Sequence, residues 1–334
     1  MRRQRPTLEQ VARQAGVSRA TVSRVVNGST TVAADIRDIV LGAVRELGYV
    51  PNHAARSLVT QVANSFALVI PEPSTRVFSE DQFFPSLIRG VSQELEMVES
   101  QLVLMMASSS ASHDRIAQYV LAGHVDGVMI ASMHGADPLP RALFETGVPV
   151  VTNGRAFGPS PVPYVDVDSS GGARAAVRYL VESGRRHIAT IAGPQDMVAG
   201  IDRLAGYDAG LADCGQESLV AYGDFTRDSG EAAMRSLIDR QPDIGAVFAA
   251  SDLMAHGAIR LLRQLGRRVP EDVAVIGFDD VELARYIDPP LTTVHQPILD
   301  IGRTLVRQLV AMANGEEVAP SVVLPTKLVV RESA

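Results

Sequence analysis

The apolar positions of this chain keep two different periods. Up to about residue 48 they recur every three to four residues. Leu8, Val11, Ala12 and Ala15 fall at i, i+3, i+4 and i+7, one face of a short helix. Thr7-Leu8-Glu9-Gln10 has capping-box spacing, a Thr hydroxyl for the exposed amides and a Gln three residues on. Gly16 breaks this helix, Val17 packs inward, and Ser18 caps a second helix. There Val22, Val25 and Val26 face in, leaving Arg19, Ala20, Ser23 and Arg24 outward. Asn27-Gly28 marks a turn. A third helix puts Ile36, Ile39, Val40, Ala43, Val44 and Leu47 on one stripe, with Gly48 past its end. Three short helices with a tight glycine turn between the first two predict a helix-turn-helix, whose second helix offers small and basic side chains to a major groove.

From Ser65 the pattern changes to short apolar runs separated by amphipathic stretches. The runs predict strands at Ala67–Ile70, Leu102–Ala107, Gly127–Ala131, Val148–Val151, Ile188–Ala192, Gly245–Ala249 and Val273–Gly277. Helical stretches stand between most of them, as at Pro85–Glu99, Asp114–Ala122, Gly171–Ser183 and Asp252–Leu265. This alternation predicts an α/β body with parallel sheets covered by helices. About 270 residues is long for one such sheet and suits two, with a ligand cleft between them.

Composition adds a division of charge. The 334 residues carry −7 in total, but residues 1–60 hold nine Arg against four acids, while the remaining 274 hold 22 bases against 34 acids. A basic head on an acidic body points to a polyanion partner at one end only. No apolar run approaches the ~18 residues of a membrane helix, and the N-terminus lacks the apolar core of a signal peptide. Cys214, the one cysteine, cannot form an internal disulfide, which agrees with a reducing compartment. The expectation is a cytoplasmic, nucleoid-associated protein with no membrane partner.

Thr7-Leu8-x-x-Val11-Ala12-x-x-Ala15-Gly16-Val17-Ser18-x-x-Thr21-Val22-Ser23-Arg24-Val25-Val26-Asn27 resembles the headpiece of the lac repressor (LacI/GalR) family of bacterial transcription regulators. The likeness runs on through Leu47-Gly48-Tyr49-Val50-Pro51-Asn52 and Ala54-Ala55-Arg56-Ser57-Leu58. It implies DNA contacts from Thr7, Ser18, Arg19, Ala20, Thr21, Ser23, Arg24, Asn27, Asn52, His53 and Leu58. Arg19, Ala20 and Arg24 match base-reading positions; Thr21, Ser23 and Asn27 match backbone-anchoring ones. Arg can bond two acceptors on guanine, whereas Ala20 offers a methyl contact. Ala33 departs from the Ser that usually caps the third helix, a loss of about 1 kcal/mol partly offset by Asp35. Residues 52–60 match the family's hinge helix, too short to be stable alone and so suited to folding when two copies meet on DNA. Leu58 matches the wedge that enters the minor groove and kinks the duplex.

Family landmarks continue to the C-terminus, among them Tyr164-Val165-Asp166-Val167-Asp168, Gly193-Pro194, Arg203-Leu204-Ala205-Gly206-Tyr207, Ser251-Asp252 and Gly277-Phe278-Asp279-Asp280. The resemblance implies a headpiece (1–50), a hinge (51–61) and a two-subdomain, periplasmic-binding-protein-like (type I) effector domain (62–334) with three crossovers. It pairs 62–163 with 294–323, and 164–293 with 324–334. Without a leucine-heptad tail, a homodimer on a pseudo-palindromic double-stranded operator is expected. The effector positions implied are Phe83, Phe84, Asn153, Arg155, Arg203, Phe225, Ser251 and Asp279. A guanidinium fork, a carboxylate and flat apolar surfaces suit a sugar. Two alternatives stand beside this: Arg203 and Asp279 could pair with each other, and either Phe could be plain core. Thr152-Asn153-Gly154-Arg155 lacks an Asp that some sugar-binding relatives present, leaving room for a sugar phosphate or sugar acid.

Motifs for catalysis are missing. The seven histidines are scattered without metal-ligand spacing, and there is no P-loop, G-x-S-x-G or G-x-G-x-x-G. Asp279-Asp280 and Asp166-x-Asp168 read as turn-forming and ligand-binding acids, and no cofactor, metal or enzymatic activity is expected. The reading is an operator-binding repressor of a catabolic operon controlled by a small polar effector. A nucleobase-responsive co-repressed regulator and a solute-binding protein without DNA function are the alternatives.

Overall fold

Capping and glycine chemistry set the N-terminal helices, much as the sequence reads. The computed structural model describes residues 6–26, 29–49, 62–107, 109–212 and 215–334 in two units, residues 1–63 and 64–334. The expected hinge at 51–61 and the Asn27-Gly28 turn lie outside the described residues. In the first unit, helix α1 (Leu8–Ala15) starts on a complete Thr7–Gln10 capping box and ends at Gly16, whose φ of 66° is the left-handed conformation that glycine adopts without steric cost. Ser18 Oγ accepts the Thr21 amide at 3.1 Å at the start of α2 (Arg19–Val26). The third helix, α3 (Ala34–Leu47), opens on Ala33 with no side-chain cap, as its sequence implies. Val11, Val22 and Val40 are fully buried and Tyr49 closes the small core. Ile39 departs from the expected stripe. It stands at the stripe's edge, beyond the core that Val11, Val22 and Val40 fill, and remains 51% exposed.

The second unit holds two six-stranded sheets. Strands β1 (Ser65–Ile70), β2 (Gln101–Met106), β3 (Gly127–Ile130), β4 (Val150–Asn153), β5 (Tyr164–Val167) and β11 (Ser321–Leu324) form the first, in the all-parallel order β11-β5-β4-β3-β1-β2. The second contains β6 (Ile188–Ala192), β7 (Leu219–Tyr222), β8 (Ala246–Ala249), β9 (Ala274–Asp279), β10 (Thr292–His295) and β12 (Lys327–Val329), in the order β12-β10-β9-β8-β6-β7, with only β12 antiparallel.

Strand alternation divides the cores. Phe66, Leu68 and Ile70 of β1 pack on the helices Phe83–Met97 and Ile298–Ala313, while Ala67 and Val69 point to the opposite core, which holds Ile116, Leu139 and Leu143. In the second lobe, Ile191 and Val247 share a core with Met234 and Leu237, whereas Ile188 and Phe248 share the other with Val177 and Tyr207. Each sheet is thus buried on both faces, as parallel sheets require.

The chain passes between lobes three times, from β5 into the helix Ser169–Glu182, from β10 into the helix Ile298–Ala313, and from β11 to β12. This corrects the subdomain boundaries expected from sequence. Tyr164–Val167 pairs with β4 and β11 and so belongs to the first lobe, not the second. All of Thr292–His295 belongs to the second lobe, and Leu324 completes a strand of the first. Hydrogen-bonded ladders make each strand a unit, so the crossings fall just outside strand ends, near 168, 296 and 325.

Candidate functional site

Two surfaces carry the candidate chemistry. On α2, Arg19, Ala20 and Arg24 are exposed while Val22 and Val25 are buried beneath them. Arg19 Nε lies 3.2 Å from Glu9 in a solvent-exposed pair. Solvent screens such a pair, so it holds the guanidinium outward without tying it down. Thr7 and Ser18 are exposed, and both hydroxyls serve as helix caps: Thr7 accepts the Gln10 amide and Ser18 the Thr21 amide. Thr21 and Ser23 are half-buried. Asn27, Asn52, His53 and Leu58 lie outside the described residues.

The other surface is a cavity of about 310 Å³ between the two lobes of the second unit, at the carboxyl ends of the strands, where open parallel sheets leave their crevices. All eight effector positions read from the sequence line it. Arg203, on the helix Val198–Ala212, is 5% exposed and donates from Nη1 to the Ala250 carbonyl at 2.6 Å and to Asp279 at 3.2 Å. Its guanidinium stacks 3.7 Å from the centre of the Phe278 ring and 5.7 Å from that of Phe225. The Arg203–Asp279 pairing weighed from sequence therefore exists, and it forms part of the cavity wall.

Asp279 ends β9 with φ of 114°, and Asp280 follows at 55°. Residues without a Cβ-free backbone hold such angles only under constraint. The constraint comes from Asp252, fully buried, whose carboxylate accepts the Val281 amide at 2.9 Å and the Thr293 hydroxyl at 2.5 Å. Gln296, 3% exposed, donates to Asp279 as well. Burial pushes Asp279 up to about 7, with Arg203 opposing and Asp81 adding to the rise. The folded protein thus keeps a proton that the unfolded chain loses near pH 4, so this contribution to stability is full below that pH and gone above about 7. Comparing thermal melts of wild type and Asp279→Asn across this range checks it. The wild type is expected to lose up to about 4 kcal/mol more than the variant as pH rises, and parallel curves would refute the assignment.

The remaining positions divide by what their side chains already hold. Phe225, at φ of 68°, lies on Gly193, where an added Cβ would come within 2.5 Å of the ring. Phe83 is half-buried at the cavity and meets Phe84 edge-on, whereas Phe84, 2% exposed, is also part of the first lobe's core. Asn153 donates to the Val165 carbonyl at 3.2 Å. Ser251 caps the helix Asp252–Gln264 by accepting the Met254 amide. Arg155 reaches across the cleft to Asp202 at 2.5 Å, while its backbone amide binds Asp166. The room for an anionic ligand left open beside Asn153 is thus occupied by an internal ion pair.

Each of the four arginines lining the cavity has a carboxylate partner: Arg76 with Glu72, Arg141 with Glu145, Arg155 with Asp202 and Arg203 with Asp279. Asp81 and Asp166 also line it, accepting backbone amides and held above the usual carboxylate range by burial. The balance favours a neutral ligand rich in hydroxyl donors. Further ties join the lobes around the mouth. His134 bridges Glu72 (3.0 Å) and Asp196 (2.8 Å), Arg227 meets Glu80 at 3.0 Å, and Gln82 accepts the Leu283 amide. Among the described residues no cluster of three or more His, Cys, Asp or Glu is placed to hold a metal ion, and no helix is long and apolar enough to cross a membrane.

A helix-turn-helix unit on the same chain as a two-lobed cleft domain defines a DNA-binding regulator with a small-molecule site. Comparison with known proteins agrees over both parts. The family of bacterial regulatory proteins named for lacI matches residues 7–52, and the periplasmic binding protein-like domain matches residues 177–334. The HTH-type transcriptional regulator CelR of Thermobifida fusca is 52% identical, covering 99% of each chain. The repressor CytR of Escherichia coli is 32% identical over 98% of this chain and 96% of its own. The chain belongs to the LacI family of transcription regulators. Among solved structures, a transcriptional regulator CelR–cellobiose complex is 50% identical, with a TM-score of 0.79 over 99% of this chain and 100% of that one. The lac repressor dimer bound to operator and the anti-inducer ONPF superposes with a TM-score of 0.89 at 28% identity over 99% of each chain.

Proposed function

We propose that this chain is a cytoplasmic, homodimeric repressor that grips a pseudo-palindromic operator through α2, and that a neutral glucose disaccharide of the cellobiose type sets its operator affinity. The carrying observation is similarity along the whole chain to CelR, for which a cellobiose complex has been solved. The cleft supports it physically. Its arginines are matched internally, its spare carboxylates accept hydroxyl protons, and its Phe rings offer flat apolar faces to a pyranose. Phe83, Phe225, Arg203 and Asp279 are the contacts we assign to the sugar, with Phe84, Asn153, Arg155 and Ser251 as the wall behind them. The sugar acts through its different affinities for two settings of the lobes, and only that difference reaches the DNA.

The test is selection from randomised duplexes followed by titration with cellobiose. The expected result is a two-fold symmetric site whose affinity changes with cellobiose and not with purine bases. Arg19→Ala is expected to relax base choice at one position per half-site by roughly 1–3 kcal/mol, read from the same selection. Absence of any preferred duplex would overturn the reading.

A further inference from the structure

A buried hydroxyl in the cavity wall is left unpaired among the described residues. Ser169 is 3% exposed and lines the cavity, yet its Oγ makes no hydrogen bond to any described residue. It is the first residue of the 14-residue helix Ser169–Glu182, where a serine commonly caps. Here the cap is already supplied, because Asp168 accepts the Gly171 amide at 2.8 Å. Leaving a hydroxyl desolvated and unpaired costs free energy, and an alanine at this position would avoid that cost.

Arg203 shows the same feature from the neighbouring helix. Its Nη1 is committed to Asp279 and Ala250, while its Nε–H, equally buried, has no partner among the described residues. The two helices run side by side in a register fixed by glycines. A Cβ at Gly206 would strike the Ser170 carbonyl, and one at Gly210 would meet Val177 at 2.7 Å. One turn back along that register, Arg203 falls level with the opening of the helix Ser169–Glu182, where Ser169 sits.

We infer that Ser169 is a specificity-determining residue for the effector. One ligand hydroxyl accepts the Arg203 Nε–H and donates to Ser169 Oγ, satisfying both groups at once. This rests on the neutral-sugar reading of the cleft. A hydroxyl fits because it is donor and acceptor together, whereas a carboxylate would leave Ser169 as donor only. The position gives the contact a second consequence: Ser169 opens the helix that follows the first crossing between lobes, so the hydroxyl is read beside a passage from one lobe to the other.

The experiment uses the full chain, calorimetry and thermal melts, with a panel of neutral mono- and disaccharides and the monodeoxy cellobioses. Ser169→Ala is expected to weaken cellobiose binding roughly tenfold while the empty protein melts at the same temperature or higher. One monodeoxy cellobiose is expected to bind wild type at least about tenfold more weakly than cellobiose, and its deficit is expected to shrink in the variant, where the hydroxyl keeps only the Arg203 contact. The inference is overturned if the variant binds cellobiose like wild type. It is also overturned if the variant's empty form melts several degrees lower and every deoxy sugar loses affinity alike, since that marks a structural serine. Wild type that binds none of the panel overturns the sugar reading and this inference with it, an outcome visible without the variant.

Discussion

Arg203→Ala is expected to abolish the response of operator binding to cellobiose while operator binding itself persists. The side chain joins the Asp279 carboxylate, the Ala250 carbonyl and the faces of Phe278 and Phe225. Truncation removes the guanidinium and leaves Asp279 buried without its counter-charge. Breaking one side of a buried ion pair costs about 3–5 kcal/mol. Part of that is recovered by protonation, because Asp279 is already held high by burial and loses the main group that opposes the shift, leaving only Gln296 against it. The variant's melting temperature should therefore fall more at pH 8 than at pH 6. Anisotropy of a labelled operator with and without sugar, beside calorimetry, reads both effects. A normal sugar response would move ligand binding away from this pair.

The second large effect separates the units. Val22 is fully buried in the headpiece core between Val11, Val25 and Val40. Val22→Asp places a carboxylate in a core too small to relax around it, and a domain of this size has only a few kcal/mol to lose. Operator binding is expected to disappear, by a factor of at least about 100, whereas sugar affinity and the melt of residues 64–334 stay within error of wild type. Loss of sugar binding in this variant would mean that the two units do not fold independently.

The headpiece was legible because its information is local. Thr7, Gln10, Gly16 and Gly48 sit where capping chemistry acts within one turn, and the structure uses each of them so. Strands such as Ile188–Ala192 were legible because buried strands are continuous apolar runs. Tyr164–Val167 and Thr292–His295 were not, for their polar residues look like loop until the partner is known. Thr293 can be buried because Asp252, distant in sequence, accepts a hydrogen bond from its hydroxyl. Ser321–Leu324 lies at a sheet edge with two of its four residues exposed. The cavity residues were reached through family resemblance, not from pattern. What that route missed was pairing and supply: Asp202 as the partner of Arg155, Gln296 behind Asp279, and Ser169 and Asp81 in the wall. The one available signal for Ser169 was its place just past the carboxyl end of a parallel strand, which becomes visible only once Tyr164–Val167 is known to be a strand.

The three passages between lobes also dictate an order of events at birth. Sheet one has five of its strands in place by residue 167 but gains its edge strand only with residues 321–324, and the helix Ile298–Ala313 that covers one of its faces is nearly as late. Sheet two waits for residues 327–329. A nascent chain on the ribosome therefore carries two unfinished halves with uncovered apolar surface until residues 321–329 are translated. Such a chain pairs early segments with late ones, which makes its folding slow and exposes it to chaperones and proteases throughout synthesis.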